Sequence, residues 1–450
     1  MKKRILLLLL AAMLVFTLSG CRTGFSMNAS ELMRPPKATG GNAQIQELID
    51  KHAGDNYTLK YPQNGTYRTA ITTVDLDGDL KDEAIAFYLP AGETQTIHLL
   101  IMKEINSQWV VLGDHLSTST MVDRLLFADL DGDSVKEIIV GYGSYNSLIN
   151  TMSLYLLDGN RSVELASSYT YTDIKIADFT DGGKDEIMLL SLYTTEKSAS
   201  AALVTLNRTR NNLYTIAESP MDDSVVSYAQ LLTGDIFEGQ FGLVVDGLVP
   251  DSKNTNNSYY KTQILFYDDS TQALKSVAFT KDEPTNQAYR SYAFLSEDID
   301  SDGIIEIPNT FRLPLAEGMV DVSPAPVIYW CEYGFGGDMT VKEKTIASIS
   351  YNFYFFVPEK WNDSFTAYAN YSTNEVTICQ WDEKKGVGQE LLTLKMFEPS
   401  VWNDGAASKG YTQLAVSDSY VYGFKIPQSN SPLMLTNEEI AEAFVLRDKQ

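Results

Sequence analysis

Three short segments of the chain place acidic side chains at a spacing suited to holding a cation. In each nine-residue segment an aspartate occupies positions 1, 3 and 5, and a glutamate occupies position 9. These segments, named loops one, two and five, contain Asp75, Asp77, Asp79 and Glu83; Asp129, Asp131, Asp133 and Glu137; and Asp298, Asp300, Asp302 and Glu306. Four carboxylates in one tight loop repel one another strongly unless a cation lies between them. Hard oxygen ligands in a flexible loop favour calcium over zinc or copper. The alternative is an acidic turn that is merely solvated.

Two further positions of these loops refine the metal hypothesis. Position 7 carries three unrelated side chains, which predicts that it supplies a backbone carbonyl as a ligand: Lys81, Val135 and Ile304. An EF-hand requires a glutamate at position 12, where this chain has other residues: Ala86, Val140 and Asn309. The loops are therefore not EF-hands.

Two weaker copies of the motif lie between loops two and five. Loop three (178–186) keeps Asp178 and Glu186, but Thr180 and Gly182 replace the second and third acids. We expect a weaker metal site there. Loop four (235–243) keeps Asp235 and almost nothing else, so we assign no metal to it.

The five copies form a repeat that predicts the architecture. Their leading aspartates are 54, 49, 57 and 63 residues apart. Each copy follows a short alternating run and precedes an apolar run, and a hairpin comes next, clearest at the turn 158–162. About four strands in roughly 50 residues is typical of a propeller blade. We predict a mainly β fold with a β-propeller of five to seven blades over residues 56–345; a sandwich with long loops is the alternative. The strand at 56–62 is expected to close the ring by joining the last blade.

The aspartate motif stops after about residue 345, and strand-like runs continue. Near the end, Thr436 and Glu439 form a capping box before an apolar helix face. We predict a separate, small α+β domain over 346–450. Four of the five tryptophans lie in the last 121 residues and are expected in the core, with an aromatic platform for sugar rings as the alternative: Trp330, Trp361, Trp381 and Trp402.

The N-terminus has the order of a secretion signal. Three basic residues precede an apolar run at 5–18, which is shorter than a membrane span requires, and small residues precede Cys21. This pattern resembles the bacterial lipobox, which implies that residues 1–20 are cleaved and that Cys21 is acylated. Residues 21–55 are expected to form a polar tether followed by a short helix at 42–53, where Ile45, Leu48 and Ile49 have helical spacing. The alternative is a chance cysteine after an ordinary signal. We therefore expect an extracytoplasmic protein, anchored to the cell membrane by lipid.

Charge limits the choice of partners. Without residues 1–20 the chain has 32 basic and 59 acidic residues, a formal charge of −27. This excess of acid disfavours nucleic acid, whose binding depends on Lys and Arg, and it attracts cations. Outside the membrane a disulfide between Cys331 and Cys379 is possible, but both lie in apolar runs, and buried free thiols are the simpler expectation.

The spacing within and between the copies resembles the FG-GAP (VCBS-type) repeats of integrin-like β-propellers over roughly residues 70–345. The resemblance is carried by the DLDGD segments of loops one and two and the DIDSD segment of loop five. It implies calcium in hairpin loops on one rim of a propeller. The whole chain is similar to a group of envelope lipoproteins of Gram-positive Firmicutes for which no activity is assigned.

No catalytic motif stands out. The three histidines (52, 98 and 115) are scattered, and neither a zinc-protease motif nor a nucleophile elbow is present. We therefore predict a non-enzymatic module of the cell envelope, stabilised by calcium, that binds an extracellular or envelope protein or glycan. The alternatives are a lyase or hydrolase acting on polysaccharide, and a purely structural scaffold.

Overall fold

The computed structural model describes residues 41–54, 56–165, 169–237, 239–251, 258–277, 289–290, 293–314, 321–334, 338–405 and 408–447. The predicted signal segment and Cys21 lie outside these ranges. Within them, no helix combines the length and the apolar character needed to cross a bilayer.

The chain is mainly β and forms successive antiparallel sheets. Sheet one contains β1 (Tyr57–Lys60), β2 (Ile71–Val74), β3 (Glu83–Pro90), β4 (Thr96–Ile105) and β5 (Gln108–Thr118). Sheet two contains β6 (Met121–Ala128), β7 (Glu137–Gly143), β8 (Asn150–Asp158), β9 (Arg161–Leu165) and β10 (Thr170–Tyr171). Sheet three is a simple meander of β11 (Asp173–Ala177), β12 (Glu186–Ser191), β13 (Ser200–Asn207) and β14 (Asn212–Pro220).

Three more sheets follow. Sheet four contains β15 (Ser227–Phe237), β16 (Gln240–Pro250), β17 (Ser258–Asp268), β18 (Ala273–Val277) and β19 (Tyr289–Arg290). Sheet five has the order β20 (Ile307–Arg312), β22 (Pro326–Tyr333), β23 (Met339–Ser348), β24 (Phe353–Phe356), β30 (Phe444–Leu446). Sheet six has the order β21 (Ser323–Pro324), β25 (Phe365–Asn370), β26 (Glu375–Asp382), β27 (Gly386–Phe397), β29 (Val421–Lys425), β28 (Thr412–Val416). The helices are α1 (Gly41–Ala53), α2 (Pro399–Asp404) and α3 (Asn437–Ala443), with a 3-10 turn at Glu359–Trp361.

The core lies between the faces of consecutive sheets. Separate apolar clusters join sheet one to two, two to three, three to four, four to five, and five to six. Sheets two to five are thus covered on both faces, which explains why their second strands are continuous apolar runs rather than alternating ones. This face-to-face succession of small antiparallel sheets is propeller-like.

The N-terminal elements differ in part from the expectation. The predicted helix is present as α1, whose Ile45 and Ile49 are buried against the free face of sheet one. The strand expected to close the ring in the last blade instead pairs with β3 in sheet one, so that prediction was wrong. Its position follows from α1, because Tyr57 and Leu59 pack into the same apolar cluster as the helix.

The C-terminal segment shares a sheet with the preceding chain. The boundary that we placed between residues 345 and 346 falls within β23, and sheet five joins β22 and β23 to β24 and β30, which follow it. The motif marks loops rather than strands, so its end does not mark the end of the sheets. The capping box of Thr436 and Glu439 is present at the start of α3.

Candidate metal centres

Loops one, two, three and five share one backbone conformation. In each, the N–H of the sixth residue donates to the carboxylate of the first aspartate at 2.7–3.1 Å: Leu80 to Asp75, Ser134 to Asp129, Gly183 to Asp178, and Gly303 to Asp298. The fourth and sixth residues of all four loops are left-handed, with φ between 52° and 95°. Half of these eight residues are not glycine, and the hydrogen bonds of the first aspartate offset the cost of that conformation. The first aspartate therefore shapes the loop.

A buried glutamate closes each of the four loops, as the first residue of a strand or, for Glu306, directly before one. Its exposed fraction is 0–2% in every case: Glu83, Glu137, Glu186 and Glu306. One carboxylate oxygen accepts the N–H of the second loop residue at 2.8–3.0 Å. Burial raises the pKa of all four side chains, to about 8 for Glu137 and Glu306. In each loop, the second carboxylate oxygen of this buried glutamate therefore needs another hydrogen-bond donor or a cation.

The structure brings most of the predicted ligands together. Carboxylate oxygens lie within 4.8 Å of one another in four groups: Asp75, Asp77 and Glu83; Asp129, Asp131 and Glu137; Asp298, Asp300 and Asp302; and Asp302, Glu306 and Glu332. Asp79 and Asp133 do not belong to these groups within the fully described loops one and two.

The fifth and seventh residues make a further shared contact. The fifth-position aspartate accepts the N–H of the seventh residue at 2.8–2.9 Å: Asp79 from Lys81, Asp133 from Val135, and Asp302 from Ile304. This contact fixes the backbone on both sides of position 7. A metal-ligating role for the carbonyl of position 7 stays a prediction.

In loop one, a lysine from a neighbouring strand lies among the acids. The Lys103 ammonium is 2.9 Å from Glu83 Oε1 and 3.2 Å from Asp79 Oδ2, and it also contacts Asp77. Burial opposes the charge of Lys103, but its hydrogen bonds to the three carboxylates raise its pKa on balance. A positive charge from within the chain thus offsets part of the charge of loop one.

In loop three, a hydroxyl serves the buried glutamate. Thr180 Oγ1 donates to Glu186 Oε1 at 2.8 Å, while Phe179 N–H donates to the other oxygen. Both oxygens of Glu186 are therefore satisfied without a cation. The loop keeps its shape, but the two missing acids leave few ligands for a metal.

Buried carboxylate oxygens without a hydrogen-bond donor occur in loops one, two and five of the described structure. They are Asp77 Oδ1 and Glu83 Oε1, Asp131 Oδ2, and Glu306 Oε1. The two oxygens of loop one belong to acids that pair with the Lys103 ammonium, whereas no lysine among the described residues contacts the other two. The Asp131 side chain is 7% exposed, and the nearby cationic group, Arg208 Nε, is 3.5 Å away on an exposed side chain. Such oxygens are costly to bury unless a cation or donor approaches them. The donor sets of loops two and five therefore fit a hard divalent cation.

Two residues near the loops were missed by sequence reasoning. Lys103 and Glu332 lie 20 and 26 residues after the glutamates that they approach, and only the strand register brings them there. A lysine inside the apolar run of β4 was a signal that could have been noticed. Lys342 joins Glu332 to Asp302, with Nζ 3.0 Å from Asp302 Oδ2.

Main-chain hydrogen bonds, which we call the loop belt, join loop one to loop two, loop two to loop three, and loop four to loop five. The N–H of the eighth residue of one loop donates to a carbonyl of the preceding loop at 2.7–2.9 Å: Lys136 to Leu76, Asp185 to Asp129, and Ile305 to Asp235. The loops therefore lie side by side at one edge of the stacked sheets. Loop four takes part although it is a tight hairpin of β15 and β16 with Leu243 at position 9.

Comparisons with known proteins leave the family open. No protein-family model matches the chain, and no curated protein matches it. Among solved structures it is similar to a protein from Lactobacillus plantarum, with 10% identity and a TM-score of 0.28 over 72% of this chain and 84% of that chain. It is also similar to rhamnogalacturonan lyase YesW, with 15% identity and a TM-score of 0.24 over 54% of this chain and 59% of that chain. The periplasmic gluconolactonase of Pseudomonas aeruginosa gives 12% identity and a TM-score of 0.20 over 67% and 93%. Scores of this size define neither fold nor function.

Proposed function

We propose that the chain is a calcium-stabilised binding module of the FG-GAP (VCBS) type, held outside the cell membrane by a lipid on Cys21. Its six sheets would be the blades of a propeller. The observation that supports the calcium assignment is that loops two and five each contain a buried oxygen without a hydrogen-bond donor, Asp131 Oδ2 and Glu306 Oε1. The acids of loop one that carry such oxygens pair with the Lys103 ammonium instead. Calcium would be structural, because it binds the folded loops and not the unfolded chain.

The anchor rests on the sequence alone. The Leu-Ser-Gly-Cys segment at 18–21 follows a basic and then an apolar stretch, as a lipidated export signal requires. Globomycin treatment of the expressing bacterium is expected to leave the signal uncleaved, since it blocks the lipoprotein peptidase. Cleavage that continues in Cys21→Ala would contradict the lipid anchor.

We propose the ligand site in a cleft of about 920 Å³ between sheets four, five and six. Its lining is rich in tyrosine, and the rings of Tyr351 and Tyr420 meet edge to face at 5.4 Å. Asp418, Asn352 and Arg447 add polar and charged groups. Aromatic faces beside hydrogen-bonding groups suit the apolar faces and hydroxyls of sugar rings, so a glycan is the ligand class that the cleft supports best.

The calcium role is tested by thermal unfolding of the purified protein with calcium, with magnesium and with chelator at matched ionic strength. A calcium-selective rise in Tm is expected, because only ions bound to the folded loops stabilise them. An unchanged Tm would mean that the loops are acidic turns without a metal.

The ligand role is tested by binding of envelope and environmental glycans to the wild-type protein and to Tyr420→Ala. The variant is expected to lose binding, whereas Tyr193→Ala, an exposed tyrosine outside the cleft, retains it. Tm values of both variants control for folding. Shortening of a polysaccharide during the assay would instead favour the alternative of a lyase or hydrolase.

A further inference from the structure

The first loop has the complete acid pattern but already contains a cation of its own. We infer that Lys103 takes the place of calcium in loop one, so that loops two and five alone bind the metal. This inference rests on the proposed calcium role and restricts calcium binding to loops two and five. It also departs from the sequence pattern, which makes loop one as good a candidate as loop two.

The position of Lys103 is incompatible with a calcium ion bound by the same acids. Its Nζ contacts Asp77 as well as Glu83 Oε1 at 2.9 Å and Asp79 Oδ2 at 3.2 Å. Calcium would need those oxygens at about 2.3–2.6 Å, in the space that the ammonium fills. The side chain is only 13% exposed, so it cannot swing into solvent without reorganising the loop. Binding calcium would require the expulsion of a buried, triply paired ammonium.

Strand register explains why loop one differs in this respect from the other described loops. Lys103 lies one residue beyond the ladder pair of Ala84 with Met102, and therefore beside Glu83. The residue at the same place relative to the loop glutamate differs in the other sheets: Leu156 in sheet two, Thr205 in sheet three and Glu332 in sheet five. Leucine adds no charge to loop two, and glutamate adds an acid to loop five. The side chain at this one strand position therefore decides whether a positive charge, a negative charge or no charge is added to the loop.

Loop five gains a ligand by the same rule. A carboxylate oxygen of Glu332 lies within 4.8 Å of those of Asp302 and Glu306, and Glu306 is fully buried with Oε1 lacking a donor. Lys342 compensates part of this charge from a 30% exposed position. Lys342 therefore differs from Lys103, because it contacts the more exposed acids Asp302 and Glu332.

The test counts bound calcium in the purified protein by equilibrium dialysis and elemental analysis. We expect two ions per chain in the wild-type protein and three in Lys103→Met, because removal of the ammonium frees an acid-complete loop. Lys51→Met, an exposed lysine of α1, has the same change in charge and is expected to stay at two. Magnesium at the same concentration provides the selectivity control.

If Lys103→Met does not fold, the same question can be answered with variants that remove one acid from a single loop and keep Lys103. Asp77→Asn in loop one is expected to leave the count at two, whereas Asp131→Asn and Asp300→Asn each reduce it to one. Three ions in the wild-type protein, or a loss caused by Asp77→Asn, would overturn the inference.

The outcomes also separate this inference from the calcium proposal. No calcium in the wild-type protein but one ion in Lys103→Met would refute calcium in loops two and five while supporting the role of Lys103. Two ions in both proteins would support the calcium proposal and refute the role of Lys103. No ion in either protein would refute both.

Discussion

Replacement of Glu137 by glutamine is expected to have opposite effects with and without calcium. Glu137 is 2% exposed and one oxygen accepts the Leu130 N–H. Burial raises its pKa from 4.5 to about 8. Without metal at pH 7 the folded protein therefore holds this side chain protonated, while the unfolded chain ionises it. At about 1.4 kcal/mol per pKa unit, the 2.5 units between 4.5 and pH 7 cost roughly 3 kcal/mol of folding free energy.

Glutamine removes this cost, because it is neutral and still offers an oxygen to Leu130. In chelator, Glu137→Gln is therefore expected to raise the free energy of unfolding by up to about 3 kcal/mol. In calcium, the same change deletes a charged ligand of loop two. When free calcium is about 100-fold above its Kd, each occupied site adds about 2.7 kcal/mol to the free energy of unfolding. The increase caused by calcium should therefore be smaller by that amount in Glu137→Gln.

The assay is Tm by differential scanning fluorimetry, in chelator and in a calcium series. Glu218→Gln, an exposed glutamate of the neighbouring sheet three, is the matched control. It should change neither the Tm in chelator nor the rise in Tm on addition of calcium. A lower Tm of Glu137→Gln in chelator would refute the idea that this carboxylate is uncompensated. If calcium raised the Tm of Glu137→Gln as much as that of the wild-type protein, the role of Glu137 as a calcium ligand would be refuted.

The pH dependence provides an independent check of the same reasoning. A carboxyl whose folded pKa is raised contributes stability below its unfolded pKa and loses it as the pH rises through the folded value. In chelator, the wild-type Tm should therefore fall between about pH 4.5 and 8, and Glu137→Gln should show a smaller fall. An identical pH profile of the two proteins would contradict the expectation.

Three further predictions concern other parts of the fold. Thr180→Val should lower the free energy of unfolding by about 1–3 kcal/mol in urea titrations, because the buried glutamate of loop three loses its hydroxyl donor; Thr180→Ser should retain stability. Asp246→Ala should cost about 3–5 kcal/mol in the same assay, since it leaves the Arg290 guanidinium buried without its carboxylate, and a loss below 1 kcal/mol would contradict this. Cys331 and Cys379 are free and buried, so alkylation followed by mass spectrometry should label both only after unfolding, and a bridged peptide would overturn the assignment.

The repeat was predictable because its signal is local. The first aspartate organises its own turn, and the glutamate eight residues later begins the next strand, so nine residues of sequence are enough to specify the loop. The same holds for the hairpin turn, where Asp158 pairs with Arg161 and Gly159 has a φ of 61°. Of the four tryptophans expected in the core, Trp330 and Trp361 are fully buried, whereas Trp381 and Trp402 are only partly buried.

The remaining features depend on contacts between distant residues. The contact of Lys103 with loop one requires the register of β3 with β4, which alternation alone does not fix. β1 joined sheet one because α1 packs there, and an isolated strand pattern does not identify its partner. The end of sheet five is β30, about 90 residues after β24. No local pattern marks such a pairing.

The loop belt has a consequence for how such an array tolerates change. Its bonds join only main-chain groups, Lys136 N–H to the Leu76 carbonyl being one of them, so they do not depend on side-chain identity. Loop three lacks two of the four acids and loop four lacks three, yet loop three is bonded to loop two and loop four is bonded to loop five. These contacts between neighbouring loops therefore do not require that each loop binds an ion. An individual loop can lose its acids, as substitutions accumulate, and still keep its main-chain bond to a neighbour.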